Sequence, residues 1–215
     1  MPQSNKRKRI MLFVIGALAI GFLLLTAFVF FFPISSVDRE FSEEIQEHHN
    51  QLLDTVMKAI SWVGYMPAAP IMVVGTALIF YMFKYKKEAL FVMFTMLSGV
   101  VSSSIKLLID RPRPSEPLVR IIVKTQQQSF PSGHVLFYVL FFGFLTLLMY
   151  EFKTIPKYIR LPVSVISLFF IFSIPYSRVY LGAHWFTDVT AGFLLGLICL
   201  YILSVLYLKR PSPKK

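Results

Sequence analysis

The sequence predicts an all-α, polytopic membrane protein: a bundle of six transmembrane helices with an amphipathic helix in the first outward loop. Composition is the first sign. Of 215 residues, 56% are hydrophobic and 15% charged, and the mean hydropathy is +0.65, whereas a soluble domain carries far more charge. Apolar runs of about 17–23 residues recur along the chain, and helix of that length crosses a hydrocarbon core of roughly 30 Å. Of the 22 Lys and Arg, 14 lie in short clusters flanking those runs. The net charge of +11 therefore reads as a set of topology signals and not as a nucleic-acid-binding face.

The first span, about 10–32, follows Lys6, Arg7, Lys8 and Arg9. Its 23 apolar residues exceed the roughly 7–15 of a signal-peptide core. Ser35 and Ser36 follow without an A-x-A-like site, so the helix is expected to be retained. In the loop 33–64, Phe41, Ile45, Leu52, Val56 and Ile60 recur at helical spacing behind a run of acidic residues, which a helix N-terminus favours. One amphipathic helix over about 37–62 is expected there, on the membrane surface or against the bundle, with Ser36 placed to cap it. His48 and His49 fall near its polar side without a Cys or a third ligand, and read as solvated.

The second and third spans, 65–83 and 89–108, are separated by Lys84, Lys86 and Lys87; the fourth and fifth, 132–150 and 161–176, by Lys153, Lys157 and Arg160. The sixth, 185–208, precedes the basic tail "KRPSPKK", expected to anchor it. It contains the single Cys199, which has no disulfide partner in the chain and reads as a small core residue. With the basic N-terminus inside, every even junction is basic. Both termini are then cytoplasmic, and loops 33–64, 109–131 and 177–184 face outward. No internal repeat appears, and the chain reads as one domain over 1–215.

Eight basic residues escape the inward clusters: Arg39, Lys58, Lys106, Arg111, Arg113, Arg120, Lys124 and Arg178. Three outward edges hold most of the unusual ones. In "IKLLIDRPRP", Lys106 ends the third span, while Pro112 and Pro114 break the helix and hold Arg113 extended. Snorkelling to lipid headgroups would explain these cations alone. An arginine between two prolines, however, suits aimed bidentate binding of an anion.

In "SFPSGHVLFYVL", Pro131 and Ser132 open the fourth helix with Ser132 as N-cap. The amides of Gly133 and His134 then sit at a positive helix terminus, where glycine lets an anion approach the backbone. In "YSRVYLGAHWFTDVTAG", His184 and Asp188 are spaced i, i+4, within hydrogen-bonding reach on one helical face. The carboxylate would fix the imidazole tautomer and compensate the cost of an intramembrane charge. Arg178 lies across a turn containing Gly182. The three edges share one side of the membrane. Several fixed cations with one carboxylate suit a metal poorly and suit a dense oxyanion such as phosphate well.

Lys106 with Arg113–Pro114, "PSGH" at 131–134, and "SR" at 177–178 with His184 and Asp188 resemble the three motifs of the type 2 phosphatidic acid phosphatase superfamily. They occur in order, at the family's spacing and without departure. The resemblance covers 106–188; the rest is similar only in helix number and topology. It implies an integral membrane lipid phosphatase that needs no cofactor or metal. Its catalytic residues would be His184 as nucleophile through Nε2, Asp188 as its orienting carboxylate and His134 as general acid and base. Lys106, Arg113, Ser132, Gly133 and Arg178 would bind the phosphate.

The compact chain is similar to members of the bacterial phosphatidylglycerophosphatase B kind. This implies a plasma-membrane location and a lipid substrate whose headgroup enters while its chains stay in lipid. Phosphatidylglycerophosphate is expected first and undecaprenyl pyrophosphate second, with phosphatidate and diacylglycerol pyrophosphate also taken by such enzymes. No obligate protein partner and no nucleic acid are expected. Vanadium haloperoxidases share the motifs but are soluble. A transporter would place its charges near the midplane between broken helices, not at the outward ends.

Overall fold

The computed structural model describes residues 2–209, so the expected anchoring role of the tail lies largely outside the described residues. All regular elements among the described residues are helices: α1 (Pro2–Phe31), α2 (Ser36–Glu47), α3 (Gln51–Trp62), α4 (Ala68–Met82), α5 (Lys86–Phe94), α6 (Leu97–Ile109), α7 (Gly133–Glu151), α8 (Lys157–Tyr180) and α9 (Phe186–Lys209). Five stretches are long and apolar enough to cross a membrane: Arg9–Phe31, Lys86–Ile109 (α5 with α6), Gly133–Glu151, Lys157–Tyr180 and Phe186–Lys209. The apolar helix α4, at 15 residues, is shorter than these.

Burial explains the arrangement. In its most apolar window α7 is 67% buried, against 6% for α1, so α7 is the axis and α1 a peripheral strut. Around α7 lie α8 and α9, with α5 and α6 touching it too; α1 leans on α9. Side chains such as Leu12, Phe13, Met82, Leu107 and Leu108 are exposed on the bundle surface. Water would make this an aggregation surface, but lipid tails cover it at no cost.

The α7–α9 contact depends on the absence of side chains. A Cβ on Gly196 would lie 2.7 Å from Cβ of Val139, and one on Gly192 would lie 2.7 Å from the Ser132 carbonyl oxygen. This Gly-x-x-x-Gly pair lets the two backbones approach, as membrane helices do in the absence of a hydrophobic driving force between them. Gly196→Leu should therefore overpack the axis at a cost of about 1–3 kcal/mol, lowering the thermal midpoint in detergent by several degrees. Gly75→Leu, where a Cβ meets nothing within 4 Å, should leave it nearly unchanged.

Three expectations are corrected here. The loop 33–64 holds two helices, not one: the chain turns at His48–Asn50, and the Asn50 side chain caps α3 by accepting from the Leu53 amide at 2.8 Å. The first of these helices is capped by Ser35, one residue before the expected Ser36, through the Asp38 amide at 3.2 Å. Arg178 lies on the last turn of α8, which runs through Pro175 to Tyr180, so the final loop of the site end is only 181–185. Burial of Ser177 and Arg178 and the bond from Ser177 Oγ to the Met57 carbonyl, 2.7 Å, hold that extra turn. His48 and His49 are exposed, in line with the solvated reading.

Candidate active site

The end of α6, the start of α7, the end of α8 and the start of α9 meet at one end of the bundle. Asp110 stops α6 in a left-handed conformation (φ 47°) and donates its amide to the Lys106 carbonyl; Asp tolerates this geometry better than most residues. Lys106 is buried, and its ammonium donates to the carbonyls of Gln128 and Ser129. Arg113 donates to the carbonyls of Gln127, Gln128 and Ala183, and its Nη1 lies 3.4 Å from Nε2 of His184. Burial and the nearby Arg178 pull the Arg113 guanidinium down to about 10, so it stays cationic at neutral pH.

His184 lies two residues ahead of α9 and not on it, since the helix starts at Phe186. Its Nδ1 is 3.5 Å from both Asp188 Oδ2 and Ser129 Oγ, which is beyond a normal hydrogen bond. The expected tight His184–Asp188 pair is thus a loose contact. Burial, with the Arg113, Lys106 and Arg178 cations adding to it, pushes the His184 imidazole well below the ordinary histidine range. The ring is neutral at pH 7, with Nε2 on the side of Arg113.

Asp188 is compensated elsewhere. Its carboxylate accepts from Arg111 Nη1 at 2.5 Å, from the Trp185 amide at 2.9 Å and from Ser129 Oγ. The Trp185 contact is half of a capping box, with the third helical residue reaching back over the start of α9. Arg111 is 1% exposed, and its other donors reach Asp38 Oδ2 (2.6 Å), Thr187 Oγ1 (2.7 Å) and the Pro33 carbonyl (2.8 Å). Asp38 in turn accepts from Ser35 Oγ and from the amide and hydroxyl of Thr187. Sequence reasoning passed over Arg111 and Asp38. Arg111 stood out only as one outward cation among eight, and Asp38, next to Arg39, only as part of the acidic run in the loop 33–64.

Arg178, fully buried, donates from Nη1 to Tyr65 Oη (2.6 Å) and Ser61 Oγ (3.2 Å), with its guanidinium over the Tyr65 ring. The Tyr65 ring also meets the His134 ring edge-on at 4.4 Å. A Cβ on Gly64 would lie 2.5 Å from Cδ2 of His134, so glycine there makes room for the imidazole. Ser132 occupies the N-cap position of α7, but its hydroxyl makes no cap bond and, like Nε2 of His134, is buried without a partner.

These groups surround a cavity of about 660 Å³. Lys106, Arg113, Gly133, His134, Arg178 and His184 line it together with the apolar Ala69, Pro70, Val73, Met96 and Phe137. Ser132, next to Gly133, and Asp188 are fully buried beside these residues. Cations, a helix N-terminus and a neutral histidine gathered at one end of a membrane bundle suit a dense oxyanion chemically.

Comparison with known proteins gives the kind. The PAP2 superfamily profile matches residues 87–212. Phosphatidylglycerophosphatase B of Bacillus subtilis is 27% identical over 197 residues, covering 87% of this chain and 92% of that protein. Undecaprenyl-diphosphatase of Sulfolobus acidocaldarius is 30% identical over 125 residues, 56% of each chain. The fold is shared with the crystal structure of the PAP2-type phosphatidylglycerolphosphate phosphatase of Bacillus subtilis, at a TM-score of 0.78 and 24% identity over 93% of this chain and 98% of that one. Aquifex aeolicus LpxE gives a TM-score of 0.61 at 26% identity, over 77% and 93%. The chain belongs to the PAP2 superfamily. It is a membrane phosphatase, a phosphoric ester hydrolase.

Proposed function

We propose that this phosphatase hydrolyses a lipid phosphate monoester at the outward face of the plasma membrane, converting phosphatidylglycerophosphate to phosphatidylglycerol and phosphate. The observation that carries the reading is a cavity lined both by the cations and histidines and by apolar side chains. A phosphate group fits the first and acyl chains the second. The full-length likeness to the Bacillus phosphatidylglycerophosphatase favours that substrate. The likeness to undecaprenyl-diphosphatase makes undecaprenyl pyrophosphate the second candidate. The outward assignment rests on Lys84, Lys86, Lys87, Lys153, Lys157, Arg160 and Lys209, which lie at the helix ends opposite the site.

In the proposed reaction the Nε2 lone pair of His184 attacks phosphorus as the ester P–O bond breaks. Lys106, Arg113, Arg178, the Ser132 hydroxyl and the Gly133 amide hold the equatorial oxygens as charge spreads over them. His134 donates a proton to the leaving alkoxide, then takes one from the water that attacks phosphohistidine and releases phosphate. Asp188, held by Arg111 and Ser129, keeps a negative charge behind the ring while it is cationic.

Offering phosphatidylglycerophosphate and undecaprenyl pyrophosphate together in mixed micelles ranks the two by their ratio of kcat/KM. A preference for the diphosphate would replace the first substrate by the second, and absence of phosphate release from either would overturn both substrate assignments. His134→Ala should slow poor leaving groups by about 10²–10⁴-fold and activated aryl phosphates far less. Equal losses on both would remove His134 from the acid role.

A further inference from the structure

Ser98, Ser102 and Lys106 are all buried and recur every four residues on α6, so they share one face. Lys106 lines the cavity beside the histidines, and each step back along the helix moves about 6 Å toward Met96, which also lines it. Ser102 is 3% exposed and lines the cavity, and its Oγ is buried without a hydrogen-bond partner. A buried helical hydroxyl has an easy remedy in the carbonyl four residues earlier. Ser104, on the same helix, takes it, donating to the Val100 carbonyl at 3.0 Å. Ser102 forgoes it, and such an orphan is destabilising unless something else fills the valence.

The opposite wall is shaped to match. A Cβ on Gly133 would lie 3.0 Å from Ser102 Oγ, so the missing side chain leaves the hydroxyl facing open cavity beside the start of α7. Ser98 lines the cavity one turn further down.

We infer that Ser102, with Ser98 below it, forms a second oxyanion seat for the phosphorus group that stays with the lipid after hydrolysis. Its ligand class is a lipid whose scissile phosphate is followed, toward the tails, by another phosphate, bridged either directly as a diphosphate or through glycerol as a phosphodiester. This deepens the lipid-phosphatase reading above and rests on it. A lipid carrying one phosphate leaves the seat unused, so the serines select between these classes without touching the reacting atoms.

The test measures kcat/KM for undecaprenyl pyrophosphate, phosphatidylglycerophosphate and phosphatidate with the wild type, Ser102→Ala, Ser98→Ala and the control Ser104→Ala. Ser102→Ala should lower kcat/KM about tenfold on a two-phosphate lipid, the loss of one hydrogen bond to a charged group, and less than twofold on phosphatidate. A loss confined to the diphosphate identifies a directly bridged ligand; one confined to phosphatidylglycerophosphate identifies the glycerol-bridged one. Equal losses on all three lipids, or none on any, overturn the seat while leaving the phosphatase intact. Wild-type protein that releases phosphate from none of them overturns both readings.

Discussion

His184→Ala is expected to abolish turnover, lowering kcat by at least about 10⁴-fold, the scale seen when a nucleophile is removed and the rest of its site remains. Binding of a lipid phosphonate, read by its protection against thermal unfolding, should persist, because Lys106, Arg113 and Arg178 are untouched. Rapid quenching of the wild type with labelled substrate should trap an acid-labile phosphoenzyme that the variant does not form. Near wild-type turnover in His184→Ala would show that another group attacks phosphorus. His184→Asn, similar in size and uncharged, separates lost chemistry from lost packing, and it should be equally inactive.

The second large effect is expected at Arg111. Replacing it by Met leaves the carboxylates of Asp38 and Asp188 buried without their cation, a situation that costs about 3–5 kcal/mol. The thermal midpoint in detergent should fall by about 10 °C, and residual activity should drop on the order of 10²-fold as the start of α9 loses its alignment with the ring of His184. The pair is testable as a cycle. Asp38→Asn added to Arg111→Met removes one stranded charge and should recover part of the lost stability. Strictly additive losses would mean that the buried ion network contributes no coupling.

The residues that carry the motifs were legible for a local reason. A helix end, a proline pair or an i, i+4 spacing is written within about ten residues, so Lys106, Arg113, Ser132, His134, Arg178 and His184 could be read one edge at a time. The Arg111 contacts were not legible, because their partners lie 73 and 77 positions away and nothing periodic links them. Tyr65 was hidden likewise: its contacts with Arg178 and His134 join the turn between α3 and α4 to α8 and α7. The helices of the loop 33–64 were misread where apolar spacing ran on through His48–Asn50 while the backbone turned. The third span is one stretch, Lys86–Ile109, with a turn at Thr95–Met96 that hydropathy alone could not register.

The clasp of Asp38 by Arg111 and Thr187 also bears on how substrate arrives. It ties the first turn of α2 to the start of α9, and Phe41 of α2 stacks on Phe186 at 4.1 Å. To swing this helix aside, the protein would have to break a fully dry ion pair and strip a ring from its partner. The surface helix is therefore a fixed doorpost and not a door. The cavity itself is bordered by Ala69 and Pro70 of α4 and by Met96 at the head of α6, and not by α2. On the lipid-phosphatase reading, a substrate that enters from the leaflet would have to do so without moving α2.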